Sequence, residues 1–227
     1  IENLYRKPYA EIVMQIIQSR QSTLNPSCLI VGSGNRSLPS SLSSMKIDVI
    51  GFDLFLGSNV DFIADAHNVP LPKCSFDIVF IQAVLEHVIQ PDLVVNEIHR
   101  ILKPGGVVIS EAPFLQAVHE GAYDFYRYTP SAHAALFHKF ENLQVGPLGG
   151  VLLSFVWAFR GLVASIVGTK LAKILCAPFF IFAQLIPVKK NRHNWDYANS
   201  SFYVGRKEKK LKVDEKFHKK AIRWYDN

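Results

Sequence analysis

The chain is poor in cysteine, poor in charge and without a complete dinucleotide fingerprint. Its three cysteines, Cys28, Cys74 and Cys176, are too few and too scattered for a disulfide framework or a zinc site. They read as free, buried thiols of a reducing compartment, and no metal ligand set is expected. Charged residues make up 19% of the chain and hydrophobic ones 49%, which excludes a disordered polymer. No apolar run reaches the roughly 20 residues that a lipid-spanning helix needs. The best charge-free stretch, 174–188, has 15 residues and contains Pro178. Residues 8–20 lack the basic flank and long apolar core of a signal peptide and read as an amphipathic helix. No internal repeat is evident.

What is present is a domain-sized chain of 227 residues, long enough for one domain plus an insertion or tail. The formal net charge of +6 is uneven. Residues 189–227 hold 12 Lys/Arg against 5 Asp/Glu, whereas residues 1–188 hold 13 against 14. The basic surplus therefore belongs to the C-terminal tail. A nucleic-acid-binding domain would carry it across its body, so nucleic acid is not the expected partner. A basic tail suits either solvent or an anionic membrane surface.

Short runs rich in Val, Ile and Phe occur at 28–32, 47–52, 60–64, 76–81 and 107–112. Their length and composition predict buried strands. Helical spacing appears at 91–102, opened by Pro91, with Leu93, Val94, Ile98, Ile101 and Leu102 as its apolar face and Pro104-Gly105-Gly106 as its stop. A second helix is predicted over 130–139, and strands over 140–148 and 199–206. Strands alternating with helices imply a parallel sheet covered on both faces. Between the last two strands, residues 151–188 carry only Arg160, Lys170 and Lys173 as charges. This segment predicts either a membrane-lying helical hairpin or an apolar cap packed on the domain or a second chain. The expected division is a core over 1–150, the apolar insertion over 151–188, and a last strand with basic tail over 189–227.

Several residues suit ligand chemistry. Gly32-Ser33-Gly34 follows the first strand, where a glycine turn lets backbone approach a ligand and the next helix start offers free N–H groups. The third glycine position of G-x-G-x-x-G is Ser37, so the motif is incomplete. Asp53 ends the second strand, where an acid can accept hydrogen bonds from both hydroxyls of a ribose or can cap a helix. Asp65-Ala66 closes the third run, near adenine or as a turn cap. Asp77, at the start of the fourth strand, is expected to fix local backbone. His87 and His119 are candidate proton acceptors, because an unperturbed imidazole titrates near neutral pH. In an open α/β sheet ligands sit beyond the carboxyl ends of the strands, which is where the loop bearing Tyr123, Asp124, Tyr126 and Arg127 belongs. That loop reads as a substrate wall or as a self-bonded structural element.

Six elements in order resemble the class I S-adenosylmethionine-dependent methyltransferases, in particular the small-molecule group with the methyltransferase type 11 pattern. They are Val31-Gly32-Ser33-Gly34, Gly51-Phe52-Asp53, Asp65 with Val69-Pro70-Leu71, Ser75-Phe76-Asp77-Ile78-Val79, Val84-Leu85-Glu86-His87-Val88, and Glu97 through Gly106. The resemblance covers roughly 28–113. It implies a Rossmann-like, mostly parallel seven-stranded sheet with helices on both faces, the apolar insertion lying before an antiparallel last strand. It implies S-adenosyl-L-methionine as cofactor. Gly32, Ser33 and Gly34 would lie along its methionine part, Asp53 and Leu54 at the ribose, Asp65 and Ala66 at the adenine, and Gln82 near the transferred methyl. Glu86-His87 would open the next helix beside the cleft. The sequence departs from the family at Ile30, where an acid is usual, and at Arg36, where a third glycine is usual.

The activity so implied is methyl transfer to a small or lipid-linked, saccharide-type acceptor, at oxygen. The alternative is a catalytically silent, membrane-associated binding module of the same fold. The expected setting is the cytoplasm, peripheral on the inner membrane face. A nucleic-acid methyltransferase would call for an Asn/Asp-Pro-Pro-aromatic motif, which the sequence lacks.

Overall fold

The computed structural model describes residues 25–35, 46–119, 121–186 and 192–208, together with residues 11 and 15. The predicted helix over 8–20 falls outside these apart from residues 11 and 15, both helical. Arg36, Ser37 and most of the basic tail also lie outside.

Five parallel strands form the body of the sheet: β1 (Ser27–Val31), β2 (Asp48–Asp53), β3 (Phe62–Ile63), β4 (Phe76–Gln82) and β5 (Leu102–Pro113). Two more, β6 (Glu141–Leu148) and β7 (Ser200–Arg206), complete it in the order β3-β2-β1-β4-β5-β7-β6. β7 runs antiparallel to both its neighbours. The seven-stranded, mostly parallel sheet is therefore the one expected, with the antiparallel strand last in the chain. Of the run 60–64, only Phe62–Ile63 pairs.

Alternation along the strands builds two cores. Leu29, Val31, Val79, Ile81 and Val108 face one side, and Cys28, Ile30, Ile78, Phe80 and Ile109 face the other. Both faces are apolar because both are covered, which is why the strands read as unbroken hydrophobic runs. Ile30 thus spends its side chain on packing.

Helix α1 (Pro91–Ile101) starts at a proline, as expected. Its buried face is Val94, Val95, Ile98 and Ile101, whereas Leu93 is exposed. Helical spacing puts 94, 95, 98 and 101 on one stripe and turns 93 away from it, so Leu93 was wrongly assigned and Val95 overlooked. Leu102 is buried but belongs to β5. The Pro104-Gly105-Gly106 turn also lies within β5, as an irregularity between the Phe76–Leu102 and Ile78–Val107 pairs. Asp77 locks this corner, accepting from the Ser27 N–H and hydroxyl and from Lys103 Nζ at 2.8 Å. Helix α2 (Pro130–Leu136) is shorter than predicted, and the Thr129 side chain caps it by accepting from the Ala132 N–H.

The expectation of three buried thiols fails at one position. Cys28 and Cys176 are buried and Cys74 is exposed, in the turn before β4. Burial pushes the Cys28 thiol up to about 12, so it is inert as a nucleophile.

The segment after β6 folds as two 17-residue helices, α3 (Val151–Val167) and α4 (Thr169–Leu185), joined at Gly168. Val156, Ala172, Cys176 and Ala183 are their buried residues, and the rings of Trp157 and Phe180 and of Phe159 and Phe179 meet edge to face between them. Most of the remaining apolar side chains face outward, among them Phe155, Leu162, Ile166, Ile174, Phe179 and Phe182. Arg160 lies over the Trp157 ring at 4.4 Å, its stem along the apolar surface. Among the described residues no helix is long and apolar enough to cross a membrane. A short helix, α5 (Arg192–Asp196), leads into β7. The hairpin base is tied to this return segment by the Ser154 hydroxyl, which donates to the Tyr197 carbonyl at 2.8 Å.

Candidate active site

The sheet register gathers the predicted cofactor residues. Val31 pairs with Phe52 on one side and with Ile81 on the other. The next residues, Gly32, Asp53 and Gln82, therefore stand at the same level, at the carboxyl ends of three adjacent strands. Gln82 in turn pairs with Glu111.

The glycine turn needs its glycines. Gly32 has φ +67° and Gly34 φ +48°, in the left-handed region that favours glycine. A Cβ on Gly32 would lie 2.3 Å from Val84 Cγ2. The turn is held from beneath by the Ser33 N–H donating to the Phe52 carbonyl at 2.9 Å. Ser33 itself is fully buried. From the side, the Asn59 N–H donates to the Gly34 carbonyl, and Asn35 Oδ1 accepts from the Ser58 N–H and hydroxyl. The loop 54–59 is thereby pinned against the turn. Asp53 Oδ1 accepts from the Phe55 N–H at 3.2 Å, and a Cβ on Gly34 would lie 3.5 Å from Asp53 Oδ2. The second carboxylate oxygen thus stands beside the open backbone of the turn. This arrangement fits S-adenosylmethionine: open backbone for the amino-acid part, and a carboxylate acceptor one strand away for a diol.

Leu54 is exposed beyond Asp53, where an apolar side chain can flank a base. Asp65 caps the turn that follows β3. It accepts from the His67 N–H at 2.9 Å and bonds the His67 ring, and these contacts hold its carboxyl below the usual range. Ala66 packs against the main core.

Glu86-His87 does not open a long helix. Leu85–His87 is a single 3-10 turn, and α1 starts only at Pro91. The loop after β5 is stitched to this turn: the Phe125 N–H donates to the Glu86 carbonyl, the Tyr128 hydroxyl to the Leu85 carbonyl and the Tyr126 hydroxyl to the Ile89 carbonyl. Asp124 and Arg127 bond each other, and Arg127 also donates to the Gln116 and Ala117 carbonyls. The Arg127 guanidinium, helped by the His119 N–H, holds the Asp124 carboxyl at about 2. Their polar atoms organise the loop from within, whereas Tyr123 projects outward and is 69% exposed.

His87 and His119 meet across this stitched junction, ring centroids 5.0 Å apart. Between them lies Glu86, fully buried. Each Nε2 stands 3.7 Å from Glu86 Oε1. The sequence reading named both histidines but gave Glu86 no role of its own. Its signal in the sequence is an acid directly before His87, in the turn that follows a core strand.

Sheet order, register and the glycine turn define a class I, Rossmann-like methyltransferase fold. The family model described as "Methyltransferase domain" matches residues 29–110. The match runs from β1 into β5, the part of the sheet that carries the glycine turn, Asp53 and Gln82. Over 67 residues the chain is 36% identical to the ubiquinone/menaquinone biosynthesis C-methyltransferase of Neisseria meningitidis, a match covering 29% of this chain and 27% of that relative. The likeness thus spans about a quarter of the relative's length. Among solved structures, a Galdieria sulphuraria protein ascribed to sarcosine dimethylglycine methylation aligns with a TM-score of 0.56 at 11% identity, covering 89% of this chain and 84% of that one. Haemonchus contortus phosphoethanolamine N-methyltransferase 2, solved with S-adenosyl-L-methionine, aligns with a TM-score of 0.53 at 18% identity, covering 88% and 53%. At these identities the structural likeness speaks for the fold.

Proposed function

We propose that the chain transfers a methyl group from S-adenosylmethionine to an oxygen of a small, lipid-linked acceptor presented at a membrane surface. The observation that carries the cofactor half is the alignment of Gly32, Asp53 and Gln82 at one level of the sheet, with Asp53 Oδ2 beside Gly34 of the turn. When bound, the cofactor supplies an electrophilic methyl on a sulfonium. The chain's part is to hold donor and acceptor in line and to keep water out, which lowers the barrier mainly through positioning. Asp53 orients the ribose, Gln82 borders the reacting end, and the Glu86–His87–His119 group stands where an acceptor hydroxyl gives up its proton. Tyr123 and Tyr126 wall the acceptor side, and Asp124 and Arg127 hold that wall in place.

The membrane half rests on the hairpin. Residues 151–186 contain no acidic residue and expose a nearly continuous apolar surface, with Arg160, Lys170 and Lys173 as their only charges. That chemistry suits the headgroup boundary of an anionic bilayer better than water. The root of the hairpin supports the same reading. Leu148 and Pro113 both pair with Ser200, so the hairpin leaves the sheet at the carboxyl end of β5. Asn199 ties that root to the acceptor loop, since its carbonyl accepts from the Phe114 N–H and its amide donates to the Leu115 carbonyl. A surface holding the hairpin would therefore lie beside the mouth of the cleft.

Calorimetric titration with S-adenosylmethionine tests the cofactor half. Micromolar binding is expected for the native chain, and a loss of at least thirtyfold for Asp53→Ala, since two hydrogen bonds to a charged acceptor disappear. Equal binding by both would overturn the assignment. Cosedimentation with phosphatidylglycerol-containing vesicles tests the membrane half. Binding is expected to fall at least tenfold in Phe155→Asp/Phe179→Asp, whereas a concentration-dependent dimer without vesicle binding would assign the hairpin to a second copy. Ile30, buried in place of an acid, favours one rival, the silent binding module. Formation of S-adenosylhomocysteine with a membrane extract separates the two, because a silent module would bind the cofactor and release none.

A further inference from the structure

Two imidazoles and a buried carboxylate converge at the acceptor side of the cleft. The Nε2 atoms of His87 and His119 each stand 3.7 Å from Glu86 Oε1, and one ligand atom from each of the three residues lies within 4.8 Å of the others. The orientation of His87 is fixed by its other nitrogen. His87 Nδ1 is 2.7 Å from the Tyr123 carbonyl, which can only accept, so Nδ1 carries the hydrogen. Nε2, the other ring nitrogen, then faces the carboxylate. His119 Nδ1 faces the Ala117 carbonyl at 3.3 Å and Asp124 Oδ2 at 3.6 Å, with Arg127 Nη2 at 3.4 Å on the same side.

Both Nε2 atoms stand equally far from Glu86 Oε1, beyond hydrogen-bond range. Donor atoms around one first-row divalent ion stand about 3–3.5 Å apart, given metal–ligand bonds of about 2.0–2.2 Å. Small rotations of the two rings would reach that spacing. Backbone carbonyl and carboxylate acceptors on the far nitrogens are the usual outer partners of metal-bound histidines.

We propose that Glu86, His87 and His119 form a binding site for a divalent transition-metal ion, of the two-histidine, one-carboxylate type. Such a ligand set suits Zn2+, Fe2+ or Mn2+ and leaves coordination positions for an outside oxygen. Side-chain exposures of 20% for His87 and 28% for His119 against 0% for Glu86 place those open positions toward solvent. The arrangement gives the acceptor loop a purpose. The Asp124–Arg127 pair fixes the strand of loop that carries His119, and the Glu86 carbonyl holds it against the turn that carries His87.

The role of the ion rests on the proposed methyl transfer. It would bind the acceptor hydroxyl and lower its pKa, and the proton would pass to solvent. The oxygen would then form its bond to the methyl carbon as the carbon–sulfur bond breaks and S-adenosylhomocysteine departs.

The test is a Co2+ titration of the untagged, chelator-treated full chain, read by visible absorption and checked by Zn2+ competition. One ion per chain at micromolar affinity is expected, with at least tenfold weaker binding in His119→Ala and in His87→Ala. Circular dichroism confirms that each variant is folded. His119 is partly exposed, so its variant keeps the test decisive even where Glu86→Gln fails to fold. No absorption change, or equal affinity in the native chain and the His119 variant, overturns the site. Asp53→Ala separates this proposal from the one beneath it, since it should retain Co2+ while losing S-adenosylmethionine. Stoichiometric Co2+ without any methyl transfer sinks the acceptor role and keeps the site. Methyl transfer undiminished by chelation, with no ion bound, sinks the site and keeps the methyltransferase.

Discussion

Gly32→Ala is expected to destabilise the folded chain by about 2–4 kcal/mol and to weaken cofactor binding at least tenfold. Two costs add. A side chain at φ +67° brings about 1–2 kcal/mol of left-handed strain. Its Cβ would also sit 2.3 Å from Val84 Cγ2, and overpacking of that kind costs about 1–3 kcal/mol. The clash can be relieved and the strain cannot. In the double variant with Val84→Ala, the clash share should return, leaving a deficit of about 1–2 kcal/mol. Denaturant unfolding of the four proteins measures both shares. A Gly32→Ala chain within 0.5 kcal/mol of the native one, on the scale of an ordinary surface substitution, would remove the reason for glycine at this turn.

Acid should unfold the protein well before its carboxylates protonate. His133 is fully buried between the β5 and β7 hydroxyls, with Nε2 2.8 Å from Ser110 Oγ and Nδ1 2.9 Å from Ser201 Oγ. Both partners are neutral, so nothing there compensates an imidazolium, and burial depresses the folded-state pKa from 6.5 to about 3. His99 is depressed to about 4 by burial and by Lys207 and Lys139. Both are histidines lowered in the folded state. The unfolded chain therefore takes up protons below pH 6.5 that the folded chain refuses, and stability falls as pH falls. The His99 share is lost down to about pH 4 and the His133 share down to about pH 3, below which each levels off. Between pH 6.5 and 4.5 the His133 share amounts to about 3 kcal/mol, at roughly 1.4 kcal/mol per pH unit. His133→Gln keeps hydrogen-bonding capacity and cannot titrate. It should be less stable at pH 7 and should lose about one proton's worth of pH slope. An unchanged slope would place the acid sensitivity elsewhere.

How much of this could be read from residues alone depended on range. The strands were legible because both faces of the sheet are covered, so Leu29 through Val31 and Ile78 through Ile81 are apolar without interruption. The cofactor turn was legible because its residues are local: Gly32 and Gly34 sit together, and Asp53 ends the very next strand. Leu93 was misjudged because one residue in a helix turns the side chain by about 100°, enough to take it from core to solvent. The meeting of Glu86 with His119 was not legible. It depends on a loop folding back from β5 onto the turn after β4, through the Phe125 N–H and the Tyr126 and Tyr128 hydroxyls bonding backbone carbonyls, partners that no residue identity announces. The outward character of the hairpin was similarly hidden, since apolar content alone does not say whether a face is covered by the same chain.

The pairing of Leu148 and Pro113 with Ser200 has a further consequence for how this chain varies and folds. The whole excursion from 149 to 199 begins and ends within one strand spacing. To the sheet it is a single long loop, and lengthening a loop costs only about 0.6 kcal/mol per doubling. In chain closure alone, a tight turn would differ from it by about 3 kcal/mol or less. What binds the excursion to the sheet is its root, where Asn199 holds Phe114 and Leu115 and Ser154 holds Tyr197, so the outer turns of the hairpin are free to be lengthened or shortened while the sheet that holds the cleft stays as it is.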